Sequence, residues 1–258
     1  MPNARTSAVV ARLRAAGCVF AEDEARLLLS STATSDELTA LVDRRVAGEP
    51  LEHLLGWAEF CGLRIEVDPG VFVPRRRTAF LVSQAAARGR AGAVVVDLCC
   101  GSGAVGVALT SVLGDLDLHA ADLDPAAVAC ARRNLAGVGG RVYEGDLFDA
   151  LPGGLRGGVD VLVANVPYVP SEAVAWMPPE ARDNEARMAL DGGADGLDVA
   201  RRLVSGALAW LAPGGSLLFE TSEDQAPDAV RIVAAGGLLA DVATDDDVGA
   251  TVVLGTRR

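Results

Sequence analysis

Two stretches of the chain place polar groups where a buried strand ends. The first is Val94-Val95-Val96-Asp97-Leu98-Cys99-Cys100-Gly101-Ser102-Gly103-Ala104-Val105-Gly106. It reads as a strand that closes on a carboxylate and opens through glycines into a helix, the place where open α/β sheets bind ligands. Gly101 and Gly103 present no Cβ, so the backbone there can approach a ligand closely. Gly101, Gly103 and Gly106 also fit G-x-G-x-x-G, a spacing used for nicotinamide and flavin cofactors. Asp97 argues against that use, because a carboxylate repels a pyrophosphate; it suits a cationic ligand such as the ammonium of an adenosylmethionine tail, met directly or through water.

Two further strand ends carry carboxylates. Asp122 is placed to accept hydrogen bonds from both ribose hydroxyls of an adenosine, which either cofactor class would offer. In Gly145-Asp146-Leu147-Phe148, Asp146 can accept from an adenine amino group and Leu147 can cover the ring; a turn residue and a core residue are the plain alternatives. Asp124, just ahead of Pro125, is expected to cap a helix rather than bind a ligand.

The second stretch, Val161-Leu162-Val163-Ala164-Asn165-Val166-Pro167-Tyr168, ends a buried strand on a polar residue, a proline and an aromatic ring. A rigid strand exit with a core tyrosine is the plain reading. An acceptor site is the reading its position favours, since it follows a strand of the sheet that carries the glycine loop.

The elements around these stretches define the architecture. Apolar residues at helical spacing (Val9, Val10, Leu13; Ala25, Leu28, Leu29; Leu38, Leu41, Val42) predict a helical module over residues 1–57, with Ser35 or Asp36 as the cap of a helix ending near Gly48. Residues 58–77 read as a β-hairpin linker, with Leu63, Ile65 and Val67 alternating before an Asp68-Pro69-Gly70 turn. Residues 78–258 alternate helix and strand: helix 79–87, strand 93–98, a helix from Gly103, strand 116–121, helix 125–136, strands 141–143 and 159–164, helix 196–210 and strand 216–220. Strands at 238–242 and 250–254 close the chain. Alternation of this kind makes a mostly parallel sheet with helices on both faces.

The chain resembles the release-factor glutamine methyltransferase family. That family's acceptor motif is Asn-Pro-Pro-Tyr, and Asn165, Pro167 and Tyr168 match it. The resemblance extends over Gly48-Glu49-Pro50-Leu51 to Leu55-Gly56, Glu59-Phe60-Cys61-Gly62-Leu63, Val73-Pro74-Arg75, Asp191-Gly192-Gly193-Ala194-Asp195-Gly196-Leu197 and Pro213-Gly214-Gly215. It implies a Rossmann-like class I methyltransferase with a seven-stranded sheet, acting on the N5 amide nitrogen of glutamine in a peptide-chain release factor. It also implies that Cys99, Cys100, Gly101, Ser102, Gly103, Asp122 and Leu147 border S-adenosylmethionine, with Asp97, Asp146 and Asn165 read beside them as further cofactor contacts, while Asn165, Val166, Pro167 and Tyr168 hold the acceptor. The helical module would dock the protein substrate. Three departures stand out: Cys99 for the loop's first glycine, Arg76, Arg77 and Thr78 for acidic residues, and Val166 for a proline.

The Val166 change spares the chemistry, because the group needed there is a backbone carbonyl, and Pro167 keeps residue 166 extended. An amide nitrogen is a poor nucleophile because its lone pair is delocalised. A site that methylates one must accept its hydrogens, as Asn165 Oδ1 and the Val166 carbonyl are suited to do. Tyr168 can pack on the planar amide, and in-line placement supplies much of the rate.

Composition bounds the alternatives. All 23 basic residues are arginine, which excludes Schiff-base lysines and the P-loop lysine. The five cysteines lack C-x-x-C spacing, and His53 and His119 have no partners at ligand spacing, so no metal site or disulfide framework is expected. The net charge of −12 lies mostly beyond residue 77 and disfavours a nucleic-acid substrate. The Arg75–Arg77 cluster is read as a solvated turn. No apolar run approaches membrane-spanning length, and the N-terminus reads as a folded helix rather than an export signal, so a cytoplasmic monomer is expected. Competing readings are a nucleobase amino-group methyltransferase, whose loop would stack a flipped base, a non-catalytic adenosylmethionine-binding module, and a nicotinamide enzyme.

Overall fold

The computed structural model describes residues 4–258. Helices α1 (Ala4–Ala15), α2 (Ala21–Ser31) and α3 (Ser35–Val46), followed by the short α4 (Leu51–Leu55), turn their apolar stripes inward around Leu13, Ala25, Leu28, Leu38 and Val42. The cap of α3 is Thr34, one residue before the expected position. Its hydroxyl accepts from the Glu37 N–H and the Glu37 carboxylate accepts from the Thr34 N–H. This is a Thr-x-x-Glu capping box, which satisfies two otherwise unpaired donors at once.

Strands β1 (Trp57–Phe60) and β2 (Leu63–Glu66) form an antiparallel hairpin. Cys61 and Gly62 at its turn both have positive φ, the backbone that a two-residue hairpin turn matching the strand twist requires. The hairpin rests on α7 (Pro125–Ala136): Asn134 Oδ1 accepts from the Glu66 N–H, and Arg133 pairs with Glu66 and Asp68.

After α5 (Ala79–Ala86), strand β3 (Val94–Leu98) leads into α6 (Ala104–Leu113), β4 (Asp117–Asp122), α7, β5 (Arg141–Glu144) and β6 (Val159–Ala164). A helix α8 (Pro179–Asn184) then precedes α9 (Asp198–Trp210), β7 (Leu211–Thr221), α10 (Ala226–Ala235), β8 (Leu239–Asp245) and β9 (Ala250–Thr256). The seven-stranded sheet has the order β5-β4-β3-β6-β7-β9-β8, parallel except for β9. Its central strands are mostly apolar because both faces are covered, with Asp97 in β3 and Asp160 in β6 as exceptions. One face packs on α9 and α10 through Leu162, Phe219, Leu203 and Val233; the other packs on α5, α6 and α7 through Val95, Val163, Leu81, Leu109 and Leu135.

Three features escape the sequence reading. Helix α10 follows β7 directly, and the excursion between β6 and α9 contains α8 and short 3₁₀ turns. Strand β7 begins at Leu211, before the Pro213-Gly214-Gly215 turn, and its register against β6 shifts between Val159 and Val161. Among the described residues, no helix is long and apolar enough to cross a membrane.

Candidate active site

Strand order reverses between β3 and β6, which lie side by side at the centre of the sheet. At such a switch point the loops leaving the carboxyl ends diverge and open a crevice. An open cleft lies there, lined by Asp97, Cys99–Ser102, Ala104, Asp122, Asp146, Leu147 and Asn165–Tyr168, with Arg75, Arg77 and Thr78 also in its wall. The structure therefore brings together the polar residues of both stretches, but Gly103 does not line the cleft: a Cβ there would meet Leu135 and Ala131 of α7, so this glycine serves helix packing.

Asp97 is 1% exposed, and its Oδ2 accepts from the Gly106 N–H at the start of α6. Burial pushes its carboxyl up to about 7, and Asp122 nearby pushes the same way against that hydrogen bond. Such a group is poised to ionise when a cation arrives. Asp122, also raised by burial, accepts from the Gly101 N–H through Oδ2 and from the Asp124 N–H through Oδ1. It thus fixes the glycine loop while lining the cleft. Asp124 caps α7 through the Ala126 N–H.

Cys99 has φ of 54°, which explains the glycine usual at this position: left-handed backbone disfavours a Cβ. Leu147, at φ 48°, is a second strained residue lining the cleft. Strain of this kind is retained where surrounding structure fixes a site. The Asp146 carboxylate is paired with Arg202 at 2.6 Å, a partner with no signature in the sequence. Ser102 Oγ is buried without a hydrogen-bond partner.

At the exit of β6, Asn165 Oδ1 is buried and unpartnered. Among the described residues, the Val166 carbonyl accepts no hydrogen bond. A buried acceptor without a donor costs about 1–3 kcal/mol, so an unfilled acceptor in a cleft wall marks a place for a ligand N–H. The Tyr168 hydroxyl donates to Glu220 Oε1 at 2.9 Å, and its carbonyl accepts from Gln225 Nε2 at 2.9 Å.

The glycines of Asp191–Leu197 have a physical reason. A Cβ on Gly192 would lie 2.6 Å from the Pro167 carbonyl oxygen, and one on Gly196 would lie 2.2 Å from that of Tyr168. This segment buttresses the acceptor loop at backbone contact, with the Gly192 N–H donating to the Val169 carbonyl.

The Arg75–Arg77 cluster is only in part a solvated turn: Arg76 is exposed, while its two neighbours are tied down. Arg75 pairs with both oxygens of buried Glu185, and Arg77 donates through Nε to buried Glu220. Their partners lie more than a hundred residues away, so composition alone shows three like charges. His53 and His119 serve packing: His53 Nε2 bonds the Val71 carbonyl, and His119 lies between Tyr143 and Asp117.

The fold and the cleft at its switch point define a Rossmann-like methyltransferase. A family model described as "Methyltransferase small domain" matches residues 62–181. A methyltransferase of Pyrococcus furiosus superposes with a TM-score of 0.57 at 17% identity, over 76% of this chain and 89% of that one. The release factor glutamine methyltransferase of Geobacter sulfurreducens is 39% identical over 86% of this chain and 79% of its own length. A 4-amino-L-phenylalanine/4-methylamino-L-phenylalanine methyltransferase of Streptomyces pristinaespiralis is 39% identical over 69% and 63%. The chain belongs to the release factor glutamine methyltransferase family.

Proposed function

We propose that the chain transfers a methyl group from S-adenosylmethionine to the side-chain amide nitrogen of a glutamine in a peptide-chain release factor. The observation that carries this reading is the buried, unpartnered Asn165 Oδ1, one residue beyond the end of β6, the strand beside the one that carries Asp97.

The cleft fits the cofactor. Asp97 offers a buried carboxylate to its ammonium, Ser102 Oγ is an idle polar atom in the glycine loop, and Gly101 allows close backbone approach. Asp122 would hold the ribose, with Asp146 and Leu147 at the adenine. When bound, the cofactor supplies an electrophilic methyl group on a sulfonium.

The chain's own residues prepare the nucleophile. Asn165 Oδ1 and the Val166 carbonyl accept the two amide hydrogens, drawing electron density toward nitrogen. Tyr168 supports the plane of the carboxamide, and Pro167 keeps Val166 extended so that its carbonyl stays in reach. A carboxamide with both hydrogens engaged is held in one orientation, which converts a slow encounter into a positioned one.

This reading carries a cytoplasmic location and a single-chain active site, with the helical module of residues 1–57 contacting the protein substrate. It is tested by incubating the protein with methyl-labelled cofactor and a purified release factor, then mapping the label by mass spectrometry. Label on a glutamine side chain supports it. Label absent from the factor but present on nucleic acid or on free 4-aminophenylalanine, offered in parallel, overturns it.

A further inference from the structure

Behind the acceptor loop lies a buried carboxylate that the transfer chemistry leaves unused. Ala164 pairs with Phe219 across β6 and β7, so Asn165, just past the end of β6, and Glu220 on β7 follow in step. The Glu220 side chain is 1% exposed. Its Oε1 accepts from the Tyr168 hydroxyl at 2.9 Å and from Arg77 Nε at 3.0 Å, while Oε2 is buried without a partner. The Arg77 guanidinium also lies 5.9 Å from the centre of the Tyr168 ring. Burying a carboxylate is unfavourable, and its pairing with arginine rarely adds stability beyond what an apolar pair would give. A buried charge of this kind specifies a geometry, and the geometry specified here is that of Tyr168.

We propose that Glu220 and Arg77 are positioning residues for the acceptor: Glu220 anchors the Tyr168 hydroxyl, and Arg77 balances that charge and covers one ring face, so a single fixed face meets the planar amide. The inference rests on the glutamine reading above for the identity of the acceptor. Three groups pin the ring and its backbone, since Gln225 also holds the Tyr168 carbonyl. Arg77 stands where the family resemblance leads one to expect an acidic residue. The cation there makes the tyrosine anchor a neutral pair.

The test is a double-mutant cycle on methyl transfer to the release factor, with adenosylhomocysteine affinity measured alongside. Misplacement of a reacting group by about 1 Å costs on the order of 10²-fold. Glu220→Gln and Tyr168→Phe should therefore each lower kcat by about that factor while leaving cofactor Kd within about twofold. The double variant should be no worse than Tyr168→Phe alone, because Glu220→Gln removes the charge that strengthens the link and Tyr168→Phe removes its donor. Arg77→Met strands the Glu220 charge and can unfold the chain, so Arg77→Lys and the charge-free pair Arg77→Met with Glu220→Gln are measured too. Arg77→Lys should keep part of the activity that Arg77→Met loses.

Additive losses, or losses that track cofactor affinity, would overturn the proposal. The sequence holds two tyrosines, so ring-labelled tyrosine gives two sets of NMR signals, readable without any acceptor. In folded Glu220→Gln the Tyr168 set should shift and its ring flips accelerate; an unchanged set overturns the positioning role. A wild-type protein that methylates no glutamine rejects the proposed function and leaves this readout intact.

Discussion

Gly196 stands against the Tyr168 carbonyl so closely that a Cβ there would come within 2.2 Å of the oxygen and within 2.2 Å of Gln225 Nε2, at a φ of 78°. Both the room and the backbone conformation exclude a side chain. The acceptor loop is thus shaped from behind by a segment about thirty residues further along the chain.

Gly196→Ala should destabilise the protein by about 1–3 kcal/mol through strain at a left-handed position. It should also displace the Gln225 bond to Tyr168. The expected pattern is a lowered Tm with acceptor turnover falling much more than adenosylhomocysteine affinity. A variant with wild-type turnover would show that the buttress is irrelevant to the acceptor loop.

Asn165→Ala should separate stability from activity. Its Oδ1 has no partner in the free protein, so deletion removes a desolvation cost rather than a bond. Thermal stability is expected to hold or rise by up to about 1 kcal/mol. Methyl transfer should fall by about 10²-fold or more with cofactor Kd unchanged. Loss of cofactor affinity instead would move Asn165 to the other half of the cleft.

Asp97 predicts a pH dependence of cofactor binding. With its carboxyl pushed up to about 7, the charge that meets an ammonium is lost as pH falls through neutrality. Kd should therefore weaken about tenfold between pH 8 and pH 6, and Asp97→Asn should abolish the slope. For the free protein the sign is opposite. The folded value lies above the ordinary 3.8, so ionising Asp97 penalises the fold: the penalty is absent below 3.8, grows as pH rises toward 7 and is then constant. Calorimetry across that range, wild type against Asp97→Asn, reads this contribution directly.

Thr34→Ala removes the hydroxyl half of the capping box at the start of α3. A loss of about 1 kcal/mol is expected, measured by denaturant unfolding, with methyl transfer unchanged at temperatures where the helical module stays folded. A neutral result would mean that packing around Leu38 and Val42 alone sets the start of α3.

Much of this architecture was legible because local rules and global fold agree. The glycine loop, the Pro125 helix start and the apolar strand 159–164 need only neighbouring residues to be read. Helix α10 was missed although it buries Ala229 and Val233, because its proline and the preceding polar run mask the start. At the cleft, Asp97 and Asn165 announce themselves as polar residues closing apolar runs. Glu185, Glu220, Gln225 and Arg202 do not. Each sits in an unremarkable local context and gains its role from a partner far along the chain, as Arg75 does with Glu185 across 110 positions.

That same long reach extends to how the enzyme comes apart. Glu185 accepts from the Val73 N–H, the Ala186 N–H donates to the Gly70 carbonyl, and Asn184 Nδ2 donates to the Gly48 carbonyl. A fragment beginning at residue 78 would keep every strand of the large sheet, yet the excursion beyond the acceptor loop would lose the surface that moors it. The segment from Gly48 to Val73 is in this sense a foundation for the cleft as well as its neighbour, and a nascent chain supplies that foundation before the strands that lean on it.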